Sequence, residues 1–351
     1  MTRRADARNF IIRLLLAGVA SSAMLPVTFA DDGEAWGSIE VVGREVAPGT
    51  RSKFPFNPDR SFEASYLNTP VFVARGSTPG PTLCLTAGVH GDEINGVEVA
   101  RRAFANVDPL QLRGTLIAVI AINAEGVRTG SRYLSDRRDL NRAFPGSEGG
   151  SIASLIANAI FTKVLVHCDA LIDLHTGSNQ RSNLPQIRAD LTDPAIRDLA
   201  VHFGVGIVVA GKGPAGSLRR EAANAGITAI IYEAGEPLRF QEEEIARGAD
   251  GVESVMAHLD MIEAPEREIP ESRIYRRTHW IRAAPGHAGF FFPAVEMGDD
   301  VDVGDLLGRV VDPLTDVVFN VTATRAGEII GMAVPQPVLS GYALFHVAWR
   351  D

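Results

Sequence analysis

Strand-like apolar runs alternate with helical segments over most of this 351-residue chain. The runs that predict strands are 71–74, 82–89, 116–122, 170–174, 206–210 and 229–232. Helical spacing of apolar residues predicts helices at 96–105, 152–166, 195–202, 218–225 and 241–261. Alternating strands and helices usually form a parallel sheet that is covered on both faces. We therefore expect an α/β domain over residues 31–262, with a mainly parallel mixed sheet flanked by helices.

The pattern changes after a charged stretch with two prolines at 263–272, which we interpret as a linker. Short alternating runs with glycine turns then predict strands at 289–292, 306–311, 317–323, 327–332 and 344–348. Residues 273–351 are therefore predicted to form a small C-terminal β-domain.

Residues 1–30 have the features of an export signal. Three arginines lie within the first eight residues, a mostly apolar segment follows, and Thr28 and Ala30 are small residues typical of a cleavage site. We predict that residues 1–30 are a cleaved signal peptide and that the protein is exported to the periplasm or secreted. The sequence does not decide the export route. A retained membrane anchor is the alternative. After cleavage we expect no stable membrane span, because no later run is long and apolar enough.

The formal net charge of −9 argues against a nucleic-acid partner, since such a partner requires the neutralisation of phosphates. Net charge does not exclude a local basic pocket for an anionic substrate. We therefore expect a small-molecule partner. The sequence leaves the oligomeric state open.

The two cysteines, Cys84 and Cys168, each lie in or beside an apolar run. Buried thiols that act as small hydrophobic side chains are one interpretation. A disulfide is the other, because an exported protein meets an oxidising environment. Their spacing does not fit a thiolate metal site.

Two histidines and a glutamate follow predicted strands. His90 and Glu93 come directly after the run 82–89, and His175 follows the run 170–174. Ligands of such sheets bind at the carboxyl ends of the strands, so these three side chains can converge. Imidazole and carboxylate are good zinc ligands, and catalytic zinc sites use three protein ligands. We predict one Zn²⁺ per chain at this triad. The alternative is that each residue acts alone, as a core hydrogen bonder or a helix-start charge.

A catalytic zinc site of this type is typical of a hydrolase, and a zinc hydrolase also needs a carboxylate that moves protons to and from the bound water. Glu233 follows the predicted strand 229–232, and Glu236 lies in the same loop beside Pro237. A carboxylate near the metal can take a proton from water and give it to the leaving amine. We favour Glu233 because of its strand-end position.

A loop rich in arginine lies between the two halves of the predicted metal site. Arginine makes two-pronged contacts with carboxylates, so Arg142 together with Asn141 could hold a substrate carboxylate. Arg132 could stabilise the oxyanion that develops on an attacked carbonyl. The alternative is a solvated loop with surface ion pairs.

Four motifs in this order resemble the succinylglutamate desuccinylase/aspartoacylase family, relatives of the zinc carboxypeptidases. They are Gly88-Val-His-Gly-Asp-Glu-Ile-Asn-Gly96, Asp139-Leu-Asn-Arg-Ala-Phe-Pro-Gly146, Asp173-Leu-His-Thr-Gly177 and Tyr232-Glu-Ala-Gly235. The resemblance covers almost all of the chain after residue 30. It implies a zinc carboxypeptidase-like fold and a C-terminal β-domain similar to biotinyl or lipoyl folds. Because the last lysine is Lys212, that domain cannot carry a lysine-linked group.

The resemblance also implies roles for the site residues. His90, Glu93 and His175 would bind zinc, and Glu233 would be the catalytic carboxylate. Asn141 and Arg142 match the family's substrate-carboxylate pair, and Arg132 is the closest match to its oxyanion arginine.

We therefore expect a zinc-dependent deacylase that cleaves the amide bond of a small N-acylated amino acid or related amine. One alternative is an exported metallocarboxypeptidase or cell-wall peptide amidase, which the size of the cleft would distinguish. The other is a non-catalytic metal-binding protein on the same fold, against which the intact ligands and Glu233 argue.

Overall fold

A mixed β-sheet with helices on both faces organises the protein. The computed structural model describes residues 36–58, 68–263 and 268–350. The predicted signal peptide lies outside these residues, and the predicted linker lies only partly within them. Among the described residues, no helix combines the length and the apolar character needed to cross a bilayer.

The structure contains nineteen strands and six α-helices in its described part. The strands are β1 Ile39–Val41, β2 Arg44–Val46, β3 Thr50–Phe56, β4 Thr69–Arg75, β5 Thr78–Ala87, β6 Arg113–Val119, β7 Ala170–His175, β8 Arg181–Ala189, β9 Ile207–Ala210, β10 Thr228–Gly235, β11 Arg273–Tyr275, β12 Arg277–Arg282, β13 Gly289–Pro293, β14 Asp300–Val301, β15 Leu306–Val311, β16 Val318–Thr322, β17 Gly327–Ala333, β18 Gln336–Val338 and β19 Ala343–Trp349. The helices are α1 Ile94–Asn106, α2 Ala124–Thr129, α3 Ile152–Lys163, α4 Pro194–His202, α5 Leu218–Asn224 and α6 Glu242–His258.

The main sheet has a parallel centre and antiparallel flanks. Its strand order is β12-β19-β17-β8-β10-β7-β5-β6-β4-β3, with β9 and β11 beyond β8, and β14 beside β17. The neighbours β6, β5, β7 and β10 are parallel, whereas β4 and β8 pair antiparallel on either side of them. The predicted α/β fold is present. The prediction of a mainly parallel sheet is correct for the four central strands. It does not hold for the strands on either side, which pair antiparallel.

Alternate residues of the central strands face two separate cores. In β5, Leu83 and Leu85 pack with the buried faces of α1, α4 and α6. Cys84, between them, packs on the opposite face with α3 and α5. This alternation follows from the two-residue period of a strand. The central strands are therefore buried on both faces, and their carboxyl ends are free to carry a site.

Local sequence explains where the helices begin. Asp193 caps α4 by accepting a hydrogen bond from the backbone amide of Ala195 at 2.8 Å, and Pro194 occupies the first helical position. Ser151 caps α3 through the amide of Ser154 at 3.3 Å.

Strand β8 is the main element that sequence patterning missed. It carries arginine, asparagine, proline and glutamine among its nine residues, so it lacks an apolar run. Three of its polar side chains, Arg181, Asn183 and Arg188, line the site described below, so tertiary packing rather than hydrophobic pattern decides its structure.

The C-terminal strands continue the main sheet through an antiparallel pairing of β17 with β8. Strands β16, β15, β13 and β18 form a second, antiparallel sheet of four. A core that includes Ile281, Phe291 and Phe345 lies in this region. The described residues from Trp36 onwards form one compact unit. A separate domain at 273–351, and its likeness to biotinyl or lipoyl folds, stay predictions.

Cys84 and Cys168 form a disulfide, with Cα atoms 5.8 Å apart. The bond joins β5 to a residue two positions before β7, and the two cysteines are 84 positions apart, so it closes a long loop. Of the two interpretations left open by the sequence, the structure contains the disulfide.

We expect reduction of this bond to lower the free energy of unfolding by about 2–4 kcal/mol, because the unfolded chain then regains the entropy of an open loop. Urea unfolding with and without a reducing agent measures the shift in midpoint. The double variant Cys84→Ala, Cys168→Ala is the control, since its midpoint should not respond to the reducing agent. Equal responses of the two proteins would contradict the prediction.

Candidate functional site

The predicted site residues lie together at the carboxyl ends of the central parallel strands. His90 and Glu93 follow β5, and His175 is the last residue of β7. Glu233 lies in β10 directly opposite His175 in the parallel register. Neighbouring strands lie about 4.8 Å apart, so this register places the two side chains at the same edge.

Two glycines let the chain turn tightly after β5. Gly88 has a positive φ of 63°, a conformation that glycine adopts without strain. A Cβ on Gly91 would come within 1.9 Å of the backbone of Gly126 in α2. Any larger residue at position 91 would therefore push α2 away. The turn presents His90 and Glu93 towards β7.

The Glu93 carboxylate lies between two imidazoles. Its Oε1 is 2.9 Å from Nδ1 of His90, and its Oε2 is 2.6 Å from Nδ1 of His175. The two rings have centroids 5.0 Å apart. All three side chains are buried, with at most 5% of each exposed. The structure thus brings together the three predicted metal ligands.

Each imidazole is held from behind by a second carboxylate. Nε2 of His90 lies 3.2 Å from Asp139, and Nε2 of His175 lies 2.8 Å from Asp173. Asp173 is fully buried and also accepts a hydrogen bond from Thr86 Oγ1 at 2.7 Å. These contacts fix both rings with Nδ1 turned towards Glu93. Histidine ligands of zinc usually have such carboxylate partners on their other nitrogen.

The donor set fits a zinc ion. Nδ1 of His90 is buried and makes no hydrogen bond, although Glu93 lies only 2.9 Å away. One ligand atom from each of His90, Glu93 and His175 lies within 4.8 Å of the others. Two imidazole nitrogens and one carboxylate oxygen are a known ligand set for catalytic zinc.

Charge within the cluster shifts the pKa values of its acids. Burial alone would raise the pKa of Glu93, but the charges and hydrogen bonds of His90 and His175 outweigh it and hold that pKa well below its usual range. Burial and the neighbouring charge of Glu93 raise the pKa of Asp92 to about 6. Glu93 therefore stays ionised to a lower pH than Asp92.

Arg132 contacts the cluster directly. Its guanidinium donates to Glu93 Oε1 at 2.9 Å and to Asp139 Oδ2 at 3.0 Å. It therefore connects the acid of the triad to the acid behind His90. Arg132 also lines the cavity described below. Its guanidinium can therefore reach a carbonyl oxygen bound there, as its predicted oxyanion role requires.

Asn141 and Arg142 lie on a short 3₁₀ turn at the other side of the site. The side-chain oxygen of Asn141 accepts a hydrogen bond from the amide of Leu218 at 2.8 Å, which ties the loop to the start of α5. Arg142 donates to the carbonyl of Asn141 at 2.5 Å. Both residues line the cavity. The loop is thus anchored rather than freely solvated.

The two candidate catalytic carboxylates have different surroundings. Glu233 accepts a hydrogen bond from Asn183 at 2.8 Å and forms an ion pair with Arg188 at 3.0 Å. Its side chain lines the cavity described below. Glu236 instead pairs with Arg239 in the following loop and does not line the cavity. The geometry is consistent with Glu233 as the proton carrier.

A cavity of about 420 Å³ opens over these residues. Two residues of β12, Thr278 and Trp280, form part of its wall, so the C-terminal strands contribute to the site. The acids that line it are Glu93 and Glu233. The arginines that line it are Arg132, Arg142, Arg181, Arg188 and Arg219. The cavity is therefore strongly cationic in a chain of net negative charge.

Arg219 is the most unusual of these arginines. Only 4% of it is exposed, and it makes no ion pair with any described residue. One nitrogen donates to the carbonyl of Gly211 at 2.9 Å, while Nε lacks a hydrogen-bond partner. Burial, aided by the charge of Arg188, lowers its pKa to about 10, so it remains charged at neutral pH. Arg219 is therefore available to pair with an anionic group that enters the cavity.

Sequence reasoning assigned no role to several of these residues. Asp173 lies two residues before His175 in an otherwise apolar strand. An ionisable residue in such a strand is a signal that could have identified it as part of the site. Asp139 was visible only as part of a motif. Arg188 and Asn183 lie on the unpredicted strand β8, and Arg219 begins a helix whose position in space the sequence does not show.

The catalytic-domain model of the succinylglutamate desuccinylase/aspartoacylase family matches residues 79–259. Among curated proteins, the chain is similar to N-alpha-acetyl-L-2,4-diaminobutyric acid deacetylase of Halomonas elongata. The two are 27% identical over 312 residues, which cover 84% of this chain and 90% of the relative.

Solved structures have the same fold. A succinylglutamate desuccinylase/aspartoacylase from Rhodobacter sphaeroides aligns with a TM-score of 0.75 at 24% identity, covering 85% of this chain and 95% of its own. The product-bound ectoine utilization protein EutE (DoeB) from Ruegeria pomeroyi aligns with a TM-score of 0.75 at 25% identity, covering 84% and 93%. The family match spans more than half of the chain and includes the triad. The chain therefore belongs to the succinylglutamate desuccinylase/aspartoacylase family.

Proposed function

We propose that this protein is a zinc-dependent deacylase that hydrolyses the amide bond of a small N-acylated amino acid or related amine. The observation that carries the proposal is the convergence of His90, Glu93 and His175, with Glu233 opposite His175 on the adjacent strand. Membership of a family that includes a named deacetylase supports it.

In this proposal His90, Glu93 and His175 hold the ion, and Asp139 and Asp173 keep the two imidazoles oriented. A bound zinc ion supplies Lewis acidity, which polarises an amide carbonyl and makes water more acidic. The chain's own residues then move protons and bind charge.

Glu233 accepts a proton from the attacking water and delivers it to the leaving amine. Asn183 and Arg188 fix one oxygen of its carboxylate, so the other oxygen is available for proton transfer. Arg132 stabilises negative charge on the carbonyl oxygen during attack. The water is thereby split between the two products, a carboxylic acid and an amine.

The cavity indicates a small and acidic substrate. About 420 Å³ suits a small molecule, which favours an N-acyl amino acid over a cell-wall peptide. Five lining arginines against two acids favour a substrate with at least one carboxylate. Arg142 with Asn141 forms one anchoring point, and Arg219 forms another.

We also propose that the protein is exported. The N-terminal sequence has the features of a signal peptide. The disulfide between Cys84 and Cys168 supports the proposal, because such bonds persist in oxidising compartments.

Replacing Glu233 by glutamine should lower kcat by about a hundredfold or more while zinc stays bound, because an amide cannot act as a base. Steady-state kinetics on N-acetyl and N-succinyl amino acids, with elemental analysis, measures both effects. The variant Glu236→Gln is the matched control and should retain most activity. Near-normal turnover by the Glu233 variant would refute its assignment.

The variant His90→Ala should bind one zinc ion fewer per chain than the wild type and lose turnover. The reason is that two ligands in a buried site hold zinc much less tightly than three. Elemental analysis of the dialysed protein measures the loss. His279→Gln, which changes an exposed histidine of β12, should keep the wild-type zinc content. An unchanged zinc content in the His90 variant would count against the site.

Replacing Arg219 by glutamine should raise KM for an N-acyl amino acid by roughly tenfold or more, because a charged hydrogen bond contributes about 1.5–3 kcal/mol. The KM for the corresponding amino-acid amide, which lacks the carboxylate, should change little. Arg220→Gln is the control, since the adjacent Arg220 does not line the cavity. Equal KM changes in the two variants would contradict a substrate-binding role for Arg219.

A further inference from the structure

Two histidines and an aspartate meet at the ends of two helices, outside the cavity. Asp198 and His202 are four residues apart in α4, so their side chains share one face of the helix. His258 is the last residue of α6. Ser254 of α6 donates a hydrogen bond to the carbonyl of His202 at 2.6 Å, which joins the two helix ends.

A glycine allows this close approach. Gly251 of α6 faces the ring of Phe203, and a Cβ at that position would come within 2.2 Å of a ring atom. Phe203 is buried and stacks on Tyr232, so its ring cannot easily move away. The packing therefore fixes the end of α6 against the end of α4 and brings His258 to Asp198.

The distances within the cluster are close to those between ligands of one ion. Nε2 of His258 lies 2.8 Å from Oδ2 of Asp198. Nδ1 of His202 lies 3.3 Å from Oδ1 of Asp198 and 2.9 Å from the backbone carbonyl of Asp198, a contact that a bound ion would displace if it used this nitrogen. Two atoms bound to one tetrahedral zinc ion at about 2.1 Å each lie about 3.4 Å apart. The imidazole rings are stacked, with centroids 3.6 Å apart and an angle of 13°. One ligand atom from each of the three residues lies within 4.8 Å of the others.

The donor set selects a class of metal. Two imidazole nitrogens and one carboxylate oxygen suit Zn²⁺, Ni²⁺ and Cu²⁺, whereas Mg²⁺ and Ca²⁺ prefer oxygen ligands. The side chains of His202 and His258 are 30% and 25% exposed. An ion can therefore reach them without opening the fold, and water can complete its coordination.

We propose that Asp198, His202 and His258 form a second binding site for a divalent transition-metal ion, separate from the triad at the strand ends. The ion would connect the ends of α4 and α6. Since it binds a geometry that exists only in the folded chain, it would stabilise the fold by an amount that grows with the logarithm of the free ion concentration above the Kd.

Zinc stoichiometry tests this site. The full chain is stripped with a chelator, equilibrated with Zn²⁺ and analysed for bound metal. We expect two ions per chain for the wild type and for the control His279→Gln, and one for His258→Gln. The variant His90→Ala should keep one ion, which the added change His258→Gln should remove. This pattern separates the second site from the proposed catalytic site.

Thermal unfolding provides an independent measurement. Added Zn²⁺ should raise the unfolding temperature of the His90→Ala variant, and the further change His258→Gln should abolish the rise. The variant Asp198→Asn tests the same site if the His258 change impairs folding. Equal zinc binding by the wild type and both cluster variants would overturn the proposal and leave a trio of hydrogen-bonded side chains.

Discussion

The site depends on one buried carboxylate, Glu93, held between two imidazoles. The acids Glu93, Asp139 and Asp173 have as partners one guanidinium, that of Arg132, and the two imidazoles. Burial alone would lower the pKa of each imidazole, but the neighbouring carboxylates raise it, so protons on the two rings balance the remaining negative charge. A metal ligand must be a neutral imidazole, so a divalent cation would replace two positive charges by two. The charge balance therefore agrees with the ligand geometry.

The parallel centre of the sheet is what delivers these groups to one point. Strands β5, β7 and β10 are neighbours, so residues that end them converge although they are far apart in sequence. The Cys84–Cys168 disulfide ties β5 to the segment that enters β7 at its amino end. The antiparallel strand β8 then adds Asn183 and Arg188 beside Glu233. The sheet therefore supplies the ligands from its centre and their polar support from its flank.

Sequence patterning predicted what depends on local signals. Apolar runs identified the central strands, and residues directly after them included His90, Glu93, His175 and Glu233. Strand β8 was missed because its residues are polar, and its stability comes from pairing on both edges rather than from its own pattern. The side chains that support the site residues through hydrogen bonds and ion pairs could not be predicted from the sequence for a related reason. Contacts such as that of Asp139 with His90 span 49 positions, and only the folded chain defines them.

The opposite signs of the whole chain and of its cavity need a physical explanation. A net charge of −9 would attract cations, yet five arginines line the cavity. Arg188 is balanced by Glu233, and Arg132 by Glu93 and Asp139. Arg219 is buried without an ion pair, and the charges of Glu233, Asp173 and Asp190 offset only part of its desolvation cost, since its pKa is still lowered. Binding an acidic substrate would remove that cost, and the carboxylate would gain a charged partner in a dry site. In the proposed function, the cavity would thus gain selectivity for acidic substrates from a feature that lowers the stability of the free protein.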